Sequence, residues 1–150
     1  MIDKFRGQYF FLSNFCPVTF GVVLDGIAYH TVEHAYQAAK TNQQQARAEI
    51  RDTSSAMLAK ELGSLLKRYG LQRDDWNEVK LSVMEDFLKQ KFDYDSFKTK
   101  LLATEDEDII EKNYWHDNYW GICSCLRCGR EEPQLNHLGK LLMKIRGELK

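Results

Sequence analysis

Hydrophobic and polar positions change their rhythm once along this chain. In the N-terminal third they alternate, in stretches rich in aromatic and β-branched residues: "YFFLSNF" at 9–15 and "VTFGVVLDGIAYHTV" at 18–32. A period of two predicts extended structure. Asp25-Gly26, between Val22-Val23-Leu24 and Ile27-Ala28-Tyr29, predicts a tight hairpin, because both turn positions need positive φ. Thr31 then stands where a helix N-cap is expected.

From about residue 46 to residue 104 the spacing becomes helical. Ser54 or Ser55 caps "AMLAKELGSLLKRYG", which is expected to run to Gly70. "RDDWNEVKLSVMEDFLKQKF" places Trp76, Val79, Val83, Phe87 and Leu88 on one core-facing stripe. "YDSFKTKLLAT" reads as a shorter helix, "IIEKNYW" as a strand and "QLNHLGKLLMKIRGEL" as a final helix. The expected class is α+β: a predominantly helical single domain over residues 1–150, with a small N-terminal hairpin.

Composition narrows the partners. The 150 residues suffice for one domain with a core of its own, and 43% hydrophobic with 29% charged residues is globular usage. Lys and Arg number 21 against 22 Asp and Glu, so the net charge of −1 excludes bulk electrostatic attachment to nucleic acid, though not a local contact. No apolar run reaches spanning length, and the opening "MIDKFRGQYFFLSNF" lacks the core of a secretory signal. A cytoplasmic protein without membrane partners is the expectation, and there the four cysteines stay reduced.

The candidate chemistry starts at "TVEHAYQAAK", residues 31–40. At about 100° per residue, Glu33, Gln37 and Lys40 fall within about 60° of one another with Tyr36 beside them, and the alanines lie opposite. One reading is a solvated face, with Glu33 and Lys40 each suited to its end of the helix dipole. The other is a working face. Seven residues rise about 10.5 Å, too far for direct pairing but suited to flanking a sugar. Glu33 near the N-terminus stays ionised, and a lysine in a closed pocket can lose its proton and attack an imine carbon.

Seven blocks, "FLSNF" (11–15), "TVEHAYQAAK" (31–40), "WNEVKLSVM" (76–84), "KF" (91–92), "LLAT" (101–104), "DNYWG" (117–121) and "NHLGKLLMKIR" (136–146), follow one another in an order that resembles the YbiA-like, or NADAR, family over nearly the whole chain. The resemblance implies a small α+β N-glycosidase needing no cofactor for its chemistry. It implies one of two substrate types: ribosylamino-pyrimidine phosphates of riboflavin synthesis, or ADP-ribose on guanine in a nucleotide or nucleic acid. It further implies that Glu33, Lys40 and Asp117 are the acid/base and nucleophilic groups. Ser13, Asn14, Trp76, Trp120, Gly121 and the block from Asn136 through Gly139 to Arg146 would line the pocket; the face of the 31–40 helix adds Tyr36 and Gln37 as candidate substrate contacts.

Both substrate types carry an exocyclic amine on the ribose anomeric carbon. Such a ribosylamine can open to an imine that Lys40 takes over; alternatively the ring stays closed and a carboxylate supports an oxocarbenium-like state. A non-catalytic ADP-ribose or nucleotide-binding module is the rival class.

Outside that helix the roles stay open. In the last helix Leu138, Leu141, Leu142, Ile145 and Leu149 form a core stripe, while Asn136, Gly139, Met143 and Arg146 share the opposite side. Gly139 signals close approach of a ligand or a neighbouring backbone; Asn136 and Arg146 could hold phosphate or sugar, or merely pack. Asp117 among aromatics is either an acid for the leaving nitrogen or a turn cap. Trp120 beside Gly121 is the candidate stacking ring. "CSCLRCGREEP" departs from the short glycine-rich stretch of the family's namesake. Its Cys123, Cys125 and Cys128 suggest structural zinc, with His116, His137 or Cys16 as fourth ligand, or else three free thiols. His30 and His34 read as structural.

Overall fold

The computed structural model describes residues 1–128 and 133–150; the 129–132 part of the cysteine-bearing segment lies outside the described residues. The architecture is α+β and mostly helical, and the chain forms two compact units.

Residues 14–93 form one unit. Strands β1 (Val22–Leu24) and β2 (Ile27–Tyr29) make the expected hairpin, antiparallel with Val22 opposite Tyr29. Asp25 and Gly26 both take positive φ, 49° and 81°. The turn is further tied down by Arg47, whose guanidinium reaches the Asp25 carboxylate at 2.5 Å and the Thr41 carbonyl at 2.7 Å. Four helices follow: α1 (Val32–Ala39), α2 (Gln44–Arg51), α3 (Ala56–Leu65) and α4 (Trp76–Asp93). Thr31 caps α1, its Oγ1 accepting the His34 N–H at 3.0 Å, and Ser55 caps α3 the same way through Leu58.

Helix α1 is the hub. It packs against α2, α3, α4 and both hairpin strands, and all eight of its residues are buried. The polar face of α1 is therefore covered by protein rather than by solvent. Helix α3 stops at Leu65, short of the expected Gly70, because residues 66–70 turn out of the helix and Gly70 takes a φ of 69°. On α4 the buried stripe is Trp76, Met84, Phe87, Leu88, Lys91 and Phe92. Val79 and Val83 are only half-buried, and Lys91 joins the buried stripe near the C-terminal end of the helix.

Residues 1–13 and 94–150 form the other unit. "YFFLSNF" is not extended as its alternation suggested. Gly7–Leu12 is a 3-10 helix that buries Phe11 and Leu12, closed by the Ser13 N–H on the Phe10 carbonyl. Helix α5 (Asp95–Leu102) packs against that 3-10 helix and against α6 (His137–Leu149). Between them lie β3 (Lys112–Asn113) and β4 (Ile122–Cys123), a short parallel pair with Asn113 opposite Cys123. The leucine stripe of α6 is core at Leu138, Leu141, Leu142 and Ile145, whereas Leu149 is half-buried. No helix among the described residues is long and apolar enough to cross a membrane.

Candidate functional site

Glu33 lies in the first turn of α1 and is 7% exposed. Its backbone N–H donates to the Asn14 carbonyl at 3.1 Å, and its Oε1 accepts the Gln37 side-chain amide at 2.7 Å. A buried carboxylate requires such donors, and one helical turn is the spacing that lets Gln37 supply one. Gln37 is itself 4% exposed, and its Oε1 points at Gly63 of α3. A Cβ at Gly63 would lie 1.8 Å from that oxygen and 2.9 Å from the Gln37 Cβ, so only glycine admits Gln37 in this rotamer. Sequence reasoning passed over Gly63; a glycine inside an otherwise well-formed helix was the available signal.

Lys40 stands at the C-cap of α1. Its carbonyl accepts the Arg73 N–H at 2.8 Å, and its ammonium lies 5.5 Å from the centre of the Tyr36 ring. Tyr36 in turn packs on Trp76, ring centres 5.1 Å apart and planes inclined by 58°. Trp76 is 4% exposed, so the tryptophan expected both in the core stripe and at the site backs the tyrosine from inside. Burial lowers the Lys40 pKa below its ordinary value; Glu33 pulls it upward, and the like charges of Lys60 and Lys80 push it further down. Desolvation dominates, as it does for amines enclosed by protein. Glu33, Tyr36, Gln37, Lys40 and Trp76 thus form one connected group. Asn14 holds the start of α1 through its carbonyl, and its side-chain amide points at the Met84 sulfur, 3.6 Å away.

Of the two histidines, His34 is built into the start of α1 and His30 is exposed. His34 is 1% exposed, with Nδ1 on Thr31 Oγ1 at 2.7 Å and Nε2 near the Thr53 carbonyl at 3.3 Å; His30 meets it edge-on.

The remaining candidates belong to the other unit. Asp117 occupies the turn-cap role: its Oδ1 accepts the N–H groups of Tyr119 (3.1 Å) and Trp120 (2.8 Å). Asn113, 2% exposed, brackets the same turn, donating to the Asp117 carbonyl at 2.8 Å and accepting its N–H at 3.2 Å. Trp120 meets Tyr119 edge-to-face at 4.8 Å, and both rings approach His137. Gly121 is required by close approach: a Cβ there would meet the Glu111 carboxylate at 1.8 Å and its carbonyl at 2.1 Å. Glu111 and Asn113 are two further polar residues of this turn that the sequence alone did not single out.

Three candidates in the last block make contacts within their own unit. Asn136 takes a left-handed φ of 47° and spends its side chain on the 109–111 segment, accepting the Glu111 N–H and donating to the Ile109 carbonyl, both at 3.0 Å. Gly139 makes room for that segment, since its Cβ would lie 2.1 Å from the Ile109 carbonyl; the close approach it signalled is to backbone. Arg146, 6% exposed, donates to Thr104 Oγ1 at 2.8 Å and to the Glu107 carbonyl at 2.9 Å. Ser13 ends the 3-10 helix, half-buried.

All four cysteines are free thiols. The ligand atoms of His116, Cys123, Cys125 and Cys128 lie within 4.8 Å of one another, a cluster able to hold a metal ion. Cys16 instead directs its thiol at the Pro17 carbonyl, 3.7 Å away, and His137 stacks on Tyr119.

Comparison with known proteins gives this arrangement relatives. The model of the NADAR domain matches residues 3–150. The chain is 35% identical over 140 residues to an N-glycosidase of Nostoc punctiforme, covering 92% of this chain and 84% of that one. It is 35% identical over 138 residues to N-glycosidase YbiA of Escherichia coli K12, covering 91% and 79%. The NMR structure of the Escherichia coli YbiA protein superposes with a TM-score of 0.76 at 33% identity, covering 99% of this chain and 86% of that one. A riboflavin biosynthesis protein of Vibrio vulnificus is 29% identical over 140 residues, but this chain spans only 35% of it.

Proposed function

The chain belongs to the NADAR domain family and is an N-glycosyl hydrolase acting on a small molecule, and from that premise we propose which bond it breaks and how. The bond is the one between a ribose anomeric carbon and an exocyclic amine. The carrying observation is the pairing on α1 of a lysine whose burial favours the neutral amine with a buried carboxylate held by Gln37. A ring-opened ribosylamine presents an imine carbon. The neutral Lys40 Nζ adds to that carbon, the original amine leaves with the proton it gains, and a lysine imine remains. Water then adds to that imine, returning the free sugar and the amine of Lys40. Glu33, beside the reacting carbon, supports the cationic iminium character and relays protons.

Two substrate types contain this linkage. We favour a ribosylamino-pyrimidine phosphate, supported by the net charge of −1 and by the riboflavin-biosynthesis name of the Vibrio relative. Guanine-linked ADP-ribose is the second reading, because its ribose carries the same exocyclic amine, and on nucleic acid it would add a local contact. Asn14 Oδ1, a buried acceptor with no hydrogen-bond partner among the described residues, is the kind of group a sugar hydroxyl satisfies. Asp117 enters the proposal through its own turn, as the cap that orients Trp120. A zinc ion at the cysteine cluster would be structural in this scheme and take no part in bond breaking.

Borohydride reduction during turnover tests the proposal. It should leave one sugar covalently on Lys40, and none on Lys40→Ala. Failure to trap, with turnover surviving Lys40→Ala, would replace the imine with the closed-ring route. Glu33→Gln separates enzyme from binding module: an enzyme loses turnover and keeps its ligand, whereas a binder's affinity hardly moves.

A further inference from the structure

We propose that His116, Cys123, Cys125 and Cys128 bind one zinc ion in a closed tetrahedral site, and that this ion holds the turn from Asp117 to Gly121 in place.

The donors come from both sides of that turn. His116 precedes it in a loop that leaves β3; Cys123 ends β4, and Cys125 and Cys128 follow within five residues of it. His116 Nδ1 lies 3.1 Å from Cys125 Sγ and 3.3 Å from Cys128 Sγ. All four donor atoms fall within 4.8 Å of one another. Zn–S bonds of about 2.3 Å and Zn–N bonds of about 2.0–2.1 Å set tetrahedral ligand separations near 3.6–3.8 Å, so a metal is accommodated by changes of at most about 1 Å in the distances between donors. A disulfide would consume two of these sulfurs, and all are free.

The surroundings are built for sulfur carrying negative charge. The Cys125 N–H points at Cys123 Sγ and the Cys128 N–H at Cys125 Sγ, each at 3.4 Å. Such amides stabilise thiolates, which are the ligating form. Gln134 braces the knuckle from the C-terminal side. Its Oε1 accepts the Cys123 N–H at 2.8 Å and its Nε2 donates to the Cys128 carbonyl at 3.1 Å. On the other side, Asn113 pins Asp117, the residue after His116, while its carbonyl accepts the Ser124 N–H at 2.7 Å. His116 itself has a φ of 72°, a conformation that a non-glycine residue keeps only where its neighbours impose it.

The donor set selects the metal. Three thiolates and one imidazole, with no position left for water, suit zinc in a structural role, and the chemistry balances simply. Each thiol gives up a proton to solvent, the imidazole binds neutral through Nδ1, and three protons leave for each zinc bound. Since the ligands flank residues 117–121, metal binding joins the two ends of that turn and makes the Asp117 cap on Tyr119 and Trp120 persistent. Without the ion, thiol–imidazole hydrogen bonds link Cys125 and Cys128 to His116.

The test uses the full chain, reduced and purified without chelator. Elemental analysis should find one zinc per chain, and the metal-free protein should take up one Co²⁺ with the visible absorption of tetrahedral thiolate ligation. His116→Ala and Cys125→Ser should weaken metal binding beyond the roughly 10–100-fold lost with a supporting partner. Cys16→Ser should not change it. Hydrogen exchange at the Tyr119 and Trp120 amides should quicken on metal removal and slow again on zinc return. No uptake of Zn²⁺ or Co²⁺ by the reduced wild-type chain overturns the site. Undiminished binding in His116→Ala, with loss in His137→Phe or Cys16→Ser, overturns the ligand set. Full binding with exchange at those two amides unmoved overturns the holding role. None of these readouts depends on glycosidase turnover, so the zinc site can fail while the proposed reaction stands, and the reverse.

Discussion

Gln37 donates its side-chain amide to the Glu33 carboxylate at 2.7 Å, one turn along a helix that is buried on every side. The pair is set by a third residue on another helix: Gly63, whose missing side chain leaves the space that Gln37 Oε1 occupies.

Gly63→Ala therefore should do more than overpack. It should destabilise the fold by about 1–3 kcal/mol and turn Gln37 away from Glu33. Misplacing a catalytic group by about 1 Å can cost roughly 100-fold, so turnover should fall well beyond the loss of folded protein. The double variant Gly63→Ala/Gln37→Gly removes every side-chain atom of the clash, the Gln37 Cβ at 2.9 Å included, and should recover part of the stability but not turnover. Denaturant titration beside steady-state kinetics measures both; additive stability losses in the double variant would disprove the contact.

The lowered pKa of Lys40 sets a pH dependence for turnover. In the proposed reaction the amine must be neutral to attack, so kcat/KM should rise with pH through the lowered Lys40 pKa, on a limb lying below 10.5. The neighbours tune it in opposite directions. Lys60→Gln removes a like charge that lowers the pKa, so the limb moves to higher pH. Residual activity of Glu33→Gln, which loses the charge that raises it, should show the limb at lower pH. Lys40→Arg cannot substitute, because a guanidinium stays protonated throughout. A pH–rate profile that ignores Lys60→Gln would count against Lys40 as the titrating group.

Lys91 makes a separate prediction about stability. Fully enclosed on α4, it has its pKa pushed down by burial to about 7 from an ordinary 10.5, with Cys16 opposing. Between these values the unfolded chain holds a proton that the folded chain has released. Stability should therefore rise with pH from about 7 toward 10, and below about 7 Lys91 contributes no slope. Lys91→Met keeps an unbranched side chain of similar length and should flatten that rise. Denaturation midpoints for both proteins across this range decide it.

Asn136 was a candidate for phosphate or sugar, and its bonds to Ile109 and Glu111 predict a structural phenotype. Asn136→Ala should cost about 1–3 kcal/mol, from two backbone groups left without partners, plus the strain of a left-handed alanine. Asn136→Gly relieves that strain and keeps the lost bonds, so it should be the milder change. Thermal melts rank the two; equal losses would show that φ of 47° carries no penalty here.

Sequence alone determined what short-range chemistry controls. The hairpin at Asp25-Gly26, the caps at Thr31 and Ser55, the leucines of α6 and the trio of cysteines are local events, each specified within a few residues. Even the angular cluster of Glu33, Gln37 and Lys40 follows from helical spacing. What covers that cluster does not. Periodicity separates a helix's faces without telling whether the polar one meets water or protein, and α1 meets protein on every side because five elements of its unit converge on it. For the same reason Gly139 and Arg146, which resembled ligand contacts, are filled by the Ile109 carbonyl and by Thr104 and Glu107. Three possible fourth ligands were legible as residues, but only a loop folded back between two paired strands brings His116 to the sulfurs. Partners distant in sequence are chosen by packing, a property of the whole unit rather than of any stretch of chain.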